Sequence, residues 1–293
     1  MIGKPLNDSL KNTFSAIFQK IHVHSKDSHN SEINAENVFQ PAINKQNRLL
    51  FAEMCSELLL PESGVKGLEH LIKLAKLAGK GESCLICAKH TSNLDVPNFY
   101  TLMSRYGKEA LECFDRIFFI AGRKLNEDTP ATKMLIEMFN RVVLSPKSYF
   151  ETLAVNDEEN RKLAKQINIA AQRKIRELRR HGYILLLYPT GTRTRPDVPS
   201  TSRALKETES YLRMFDNLCF MNVSGNTLPP TRSNELVSEI PHYDIVKFIV
   251  GPVQKTGEWL QSANDDFDKN SCLEGERKQW VADLVMKEIN ELK

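Results

Sequence analysis

Residues 84–100 read CLICAKHTSNLDVPNFY, and the turn inside this stretch decides the fold. Cys84 to Ala88 is a continuous apolar run of strand length. His90 follows two residues later, and Thr91, Ser92 and Asn93 are all capable helix caps. A helix is therefore expected near Leu94, with Asp95 in its first turn. On one continuous helix, residues five apart point about 140° away from each other. His90 and Asp95 can meet only if the chain turns between them, and a strand–loop–helix junction supplies that turn. A histidine near neutral pH can accept a proton from an alcohol, and a carboxylate on its other nitrogen supports the imidazolium that forms. The plainer alternative is a helix-cap cluster with a satisfied histidine, and spacing alone leaves both open.

Further apolar runs of strand length lie at 117–121, 141–145, 183–188, 218–223 and 245–250. Helical patterns separate most of them. Asp95 to Tyr106 is one, and Pro130 to Asn140 is another, with Pro at a first helical position. Leu163, Ile167, Ala171, Ile175 and Leu178 define a third. Alternating strands and helices predict an α/β domain with a mainly parallel central sheet flanked by helices. Strands covered on both faces account for runs that are apolar throughout.

Before residue 82 the periodicity is helical. One stripe is Leu10, Phe14, Ile17, Phe18 and Ile21. A second is Leu49, Leu50, Met54, Leu58 and Leu59, and a third is Leu68, Leu71, Ile72, Ala75 and Leu77. With no strand-like run between them, residues 1–80 are expected to form a small helical domain ahead of an α/β domain at 81–293. The first stripe suits a helix laid on a membrane surface or one packed on its own protein. Residues 255–293 read as a closing helical segment around Trp280, Leu284, Val285 and Ile289.

The composition excludes several classes. A net charge of +3 is too small to argue for nucleic acid, and the 41% hydrophobic content fits a packed core. No apolar run approaches the roughly 20 residues that a membrane span needs. The N-terminus shows no secretory signal pattern. Six scattered cysteines do not suggest a disulfide framework, so a reducing cytoplasm is the expected compartment. Cys84 and Cys87 form C-x-x-C, but within a strand they point to opposite faces, which favours buried thiols over a metal site. GKGES at 79–83 lacks the spacing of a phosphate-binding loop and precedes a strand.

Residues 188–197 read YPTGTRTRPD, directly after the strongest strand-like run. Gly191 permits close backbone approach, and a turn of this kind exposes amides to an anion. Arg193 and Arg195 alternate, so an extended loop would turn both to one side, where their forks suit phosphate oxygens. Lys147 stands just past the run at 141–145. The three cations can converge on one dianion, or the loop can simply be solvated.

These segments resemble the glycerolipid acyltransferases. HTSNLD matches their H-x4-D block at His90 and Asp95. FFIAGRKL at 118–125 resembles the second block, with Gly122 and Arg123. YPTGTRTRP resembles the third, although Thr190 stands where many members carry glutamate. VSGNTLPPT at 223–231 resembles the fourth, and the four occur in the family's order. The chain is most similar to the soluble plastid-type glycerol-3-phosphate 1-O-acyltransferases. A helical segment precedes H-x4-D, GTRTRP carries a second arginine, and LSPKS supplies a lysine.

The resemblance implies acyl transfer from an acyl thioester, on acyl carrier protein or coenzyme A, to the 1-hydroxyl of sn-glycerol 3-phosphate, the first step of phospholipid synthesis. It implies His90 as base, Asp95 as its support, and Lys147, Arg193 and Arg195 as phosphate ligands. Ser148 stands where the family often has a histidine. An amide near Gly191 and Thr192 would face the oxyanion. No metal and no bound cofactor is expected. The cytoplasm, with peripheral contact at a membrane surface, is the expected location. Arg161, Lys162, Lys165, Arg173, Lys174, Arg176, Arg179 and Arg180 crowd one helix. They either dock the thioester carrier or form a solvated face. Two other readings stay open: a lysophosphatidate (1-acyl-glycerol-3-phosphate) acyltransferase, and a non-catalytic lipid- or phosphate-binding protein on the same fold.

Overall fold

The computed structural model describes residues 2–4, 6–25, 32–123, 134–146, 149–150, 157–231, 238–269 and 276–293. Five strands form a parallel block at the centre of the sheet. They are β3 (Cys84–Ala88), β4 (Ile117–Gly122), β5 (Arg141–Leu144), β6 (Ile184–Leu187) and β7 (Asn217–Ser224). Their order is β5-β4-β6-β3-β7, every neighbouring pair parallel. Beyond β7 lies β8 (Lys247–Val250), antiparallel to it, and β9 (Gln254–Lys255) also pairs antiparallel with β7. All six predicted apolar runs are therefore strands.

The edges were not legible as runs. β1 (Phe39–Gln40) closes one side against β5, and β2 (Gly64–Lys66) closes the other against β8. The first 80 residues, expected to be helical throughout, thus contribute a strand to each edge. Two- and three-residue strands are too short to display a period of two.

Helices cover both faces. On one lie α1 (Asp8–Ser25), α2 (Lys45–Leu58), α3 (Leu68–Gly79), α4 (Asp95–Ser104) and α5 (Lys108–Asp115). On the other lie α6 (Glu158–Leu178), α7 (Glu207–Leu212), α8 (Thr256–Lys269) and α9 (Arg277–Glu291). Strand β3 shows why its sequence is apolar at every position. Cys84, Ile86 and Ala88 enter the first core, while Leu85 and Cys87 enter the second. The two thiols of C-x-x-C therefore face apart. Burial pushes the Cys84 thiol up to about 12 and raises the Cys87 thiol as well.

The α1 stripe is set against the protein through Phe14, Ile17 and Ile21. Among the described residues no helix is long and apolar enough to cross a membrane. Helix α2 is turned relative to its expected stripe. Leu49 is 59% exposed, whereas Asn47 and Arg48 are buried. Buried polar groups are tolerated when paired, and here they are. Arg48 Nη1 donates to Asp115 Oδ1 at 2.6 Å and Nε donates to the Met138 carbonyl at 3.0 Å. Its guanidinium also lies 5.0 Å from the centre of the Tyr100 ring. Helix α6 buries Ile167, Ala171, Ile175 and Leu178 as its period predicted. Of the expected Pro130–Asn140 helix, residues 134–136 are helical and 130–133 lie outside the described residues.

Candidate active site

A parallel block places all its strand ends on one rim. The loops after β3, β4, β5, β6 and β7 leave from that rim, and β3 sits between β6 and β7. Cys87 on β3 is level with Leu187 on β6 and with Phe220 on β7. The histidine loop is thus flanked by the GTRTR loop on one side and by the loop at 225–231 on the other.

The turn between His90 and Asp95 brings their side chains together. His90 Nδ1 and Asp95 Oδ2 are 2.8 Å apart. The same oxygen accepts the Thr91 N–H at 2.7 Å and the Ser92 N–H at 3.0 Å, while Oδ1 accepts the Thr91 hydroxyl at 2.9 Å. Asp95 is only 3% exposed, and its buried oxygens are satisfied by these donors. Oδ2 already accepts two backbone N–H groups, so the tautomer that fits this contact has Nδ1 as the donor and Nε2 as the acceptor nitrogen of the ring. The local fold and the dyad are one object: the Asp95 oxygen that closes the turn, Oδ2, is also the one that meets the ring.

Neighbouring loops lock this turn. The Thr194 N–H donates to the His90 carbonyl at 2.7 Å. Asn226 Nδ2 donates to the Thr91 carbonyl at 2.8 Å, and Ser92 Oγ donates to the Leu228 carbonyl at 3.0 Å. Asp244 Oδ2 in turn accepts the Asn226 N–H at 2.7 Å. Gly225 has φ 82°, and a Cβ there would stand 1.9 Å from the Ile245 carbonyl oxygen, so only glycine fits.

On the other side, Tyr188 stacks on His90, with ring centres 4.0 Å apart and planes 14° from parallel. Gly191 takes φ 65°, and its N–H donates to the Tyr188 carbonyl at 2.9 Å. That amide is spent inside the turn. The hydroxyl of Thr190 donates to the Thr192 carbonyl.

The two arginines have different partners. Arg193 is buried and pairs with Glu239, whose other oxygen accepts Asn93 Nδ2 at 3.1 Å. Arg193 is thereby tied to the histidine loop through one carboxylate. Arg195 Nη2 pairs with Asp197 Oδ2 at 3.1 Å within its own loop. Lys147 lies outside the described residues, as does Ser148. Gly122 ends β4 and packs beside Pro146, where an added Cβ would make ordinary contact at 3.7 Å. Arg123 is buried with its guanidinium 5.3 Å from the centre of the Tyr149 ring, on the β4–β5 side of the rim. On α6, Lys162, Lys165, Arg173, Arg176 and Arg180 are solvent-exposed, and Lys174 pairs with Glu177 at 2.8 Å.

Sequence reasoning missed Glu239, Asn93, Asp244 and the stacking role of Tyr188. Glu239 stands 46 residues from Arg193 in a stretch without strand or helix period, so no local signal linked them.

A family model described as Acyltransferase matches residues 63–228, more than half of the 293-residue chain. No curated protein matches. Among solved structures, the 1-acyl-sn-glycerophosphate (LPA) acyltransferase PlsC from Thermotoga maritima is similar at 14% identity and a TM-score of 0.44. The likeness covers 96% of this chain and 94% of that one, and at this level it carries no argument about substrate.

Proposed function

The chain belongs to the acyltransferase family, and from that premise we propose that it moves a fatty acyl group from an acyl thioester to the 1-hydroxyl of sn-glycerol 3-phosphate. One observation carries the chemical half of this reading: His90 Nδ1 held at 2.8 Å by a buried, fully engaged Asp95. His90 Nε2 takes the hydroxyl proton as the acceptor oxygen attacks the thioester carbonyl. The tetrahedral intermediate collapses, the carbon–sulfur bond breaks, and the proton on Nε2 goes to the departing thiolate. Asp95 holds the imidazolium in place between the two transfers. The Thr192 amide, beside the spent amide of Gly191, is the proposed donor to the oxyanion.

Arg193 and Arg195 are proposed to hold the acceptor phosphate, with Lys147 as a third cation. A guanidinium has five N–H donors, so an arginine that already pairs with a carboxylate can still reach a phosphate. Holding the phosphate positions the attacking hydroxyl on His90. The co-substrate is acyl carrier protein or coenzyme A carrying the acyl chain, and the exposed basic face of α6 suits either acidic carrier.

An assay that offers glycerol 3-phosphate and 1-acyl-glycerol 3-phosphate side by side tests the acceptor. The proposal expects acylation of the former. Exclusive use of the latter makes the enzyme a lysophosphatidate acyltransferase, and turnover of neither would point to a binding protein. Arg195 is the better arginine to vary, because its partner Asp197 is 43% exposed and is not stranded by the change. Arg195→Ala should raise the KM for glycerol 3-phosphate at least about tenfold, as expected for a lost charge-assisted contact of roughly 1.5–3 kcal/mol. An unchanged KM would remove Arg195 from the phosphate site.

A further inference from the structure

Tyr188 belongs to none of the roles assigned so far, yet it makes the closest ring contact in the site. It is the first residue after β6, and the parallel register sets it beside the histidine loop that follows β3. Its ring lies almost flat on the His90 imidazole, with centres 4.0 Å apart. One backbone bond shapes the tyrosine turn, and a second joins that loop to the histidine loop. The Gly191 N–H fixes the Tyr188 carbonyl, and the Thr194 N–H fixes the His90 carbonyl. The backbones that carry the two rings are therefore held beside each other, and the rings stack across the gap between the loops.

We propose that Tyr188 is a positioning residue for the reaction, with its ring face orienting His90 and favouring the imidazolium that exists only while the acyl group is in transfer. This inference rests on the functional reading above. An aromatic face carries a negative quadrupole, so it attracts a cation that lies over it. A neutral imidazole gains little from that field. The imidazolium formed by proton capture at Nε2 gains much more. Two groups act on this cation from different directions: the Asp95 carboxylate in the ring plane at Nδ1, and the Tyr188 face above it. Burial, with the Asp95 charge nearby, keeps the Tyr188 phenol well above its ordinary pKa, so the stacking partner is a neutral ring throughout. A contact that strengthens only in the transition state changes kcat and leaves KM alone.

The test holds shape constant and varies the ring's charge distribution. Tyr188→Phe, and then phenylalanines with one, two and three ring fluorines at the same position, are compared in the full-length protein. All four fill the space of the wild-type ring, so folding is preserved and the thermal midpoint checks it. Tyr188→Phe should stay within about twofold of the wild-type kcat, because the ring and not the hydroxyl carries the effect. Successive fluorines should lower kcat in order, by about three- to tenfold across the series, with both KM values unchanged. A flat kcat, or a change confined to KM, would overturn the role of Tyr188. His90→Ala run alongside separates the two levels of inference. If that variant is inactive while the fluorine series is flat, the functional reading stands and only the stacking role falls. If it is as active as the wild type, the base assignment falls and this inference goes with it.

Discussion

Replacing His90 by alanine should lower acyl transfer by about 10²–10⁴, the usual worth of a general base, with the fold intact. The expectation of an intact fold comes from the site's own bonds. When the imidazole is removed, Asp95 still accepts the Thr91 and Ser92 N–H groups and the Thr91 hydroxyl. The buried carboxylate is not orphaned, so the turn that carries it survives. The His90 side chain is 22% exposed, so its loss leaves a dent open to water and no dry cavity. Thermal unfolding should therefore barely move while turnover collapses. Activity near the wild-type level would remove His90 as the base. An equal loss of stability and activity would show that the ring is structural.

Glu239→Ala should do the reverse and act chiefly on stability. Its side chain is fully buried and holds Arg193, itself only 9% exposed at the side chain, as well as Asn93. Truncating it removes the carboxylate from a buried ion pair, and breaking such a pair typically costs about 3–5 kcal/mol. Removing both charges costs much less, since replacing a buried pair by well-packed apolar groups is often close to neutral. A Glu239→Leu, Arg193→Met double variant should then unfold at higher denaturant concentration than Glu239→Ala alone. That double variant should still lose affinity for the acceptor phosphate if Arg193 binds it. Chemical denaturation of the three proteins decides the point. A Glu239→Ala variant within about 1 kcal/mol of the wild type would mean that Arg193 reaches water or another partner readily.

These two residues also differ in how plainly the sequence announces them. His90 and Asp95 were legible because their interaction is local: an apolar run, three cap-type residues and a carboxylate fix a turn within a dozen positions. The six apolar runs were legible because strands covered on both faces leave no polar positions to confuse the pattern. Glu239 was hidden because its partners come from other loops, and a tertiary ion pair has no period. The face of α2 was misjudged for a related reason. Arg48 and Asn47 look like solvent-facing residues until Asp115, the Met138 carbonyl and the Ile21 carbonyl are placed around them. Edge strands β1 and β2 exist by pairing with β5 and β8, and nothing in their own few residues announces it. Tyr188 was read as the end of a strand, and only the parallel register of β3 with β6 turned it into a neighbour of His90.

Thiol release from an acyl thioester by the purified wild-type protein, followed with and without glycerol 3-phosphate, separates acyl transfer from every other reading of this site. Transfer to glycerol 3-phosphate requires thiol release that depends on the acceptor and matches, mole for mole, the formation of 1-acyl-glycerol 3-phosphate. Thiol release indifferent to the acceptor, or none with either acyl carrier protein or coenzyme A as donor, would contradict it.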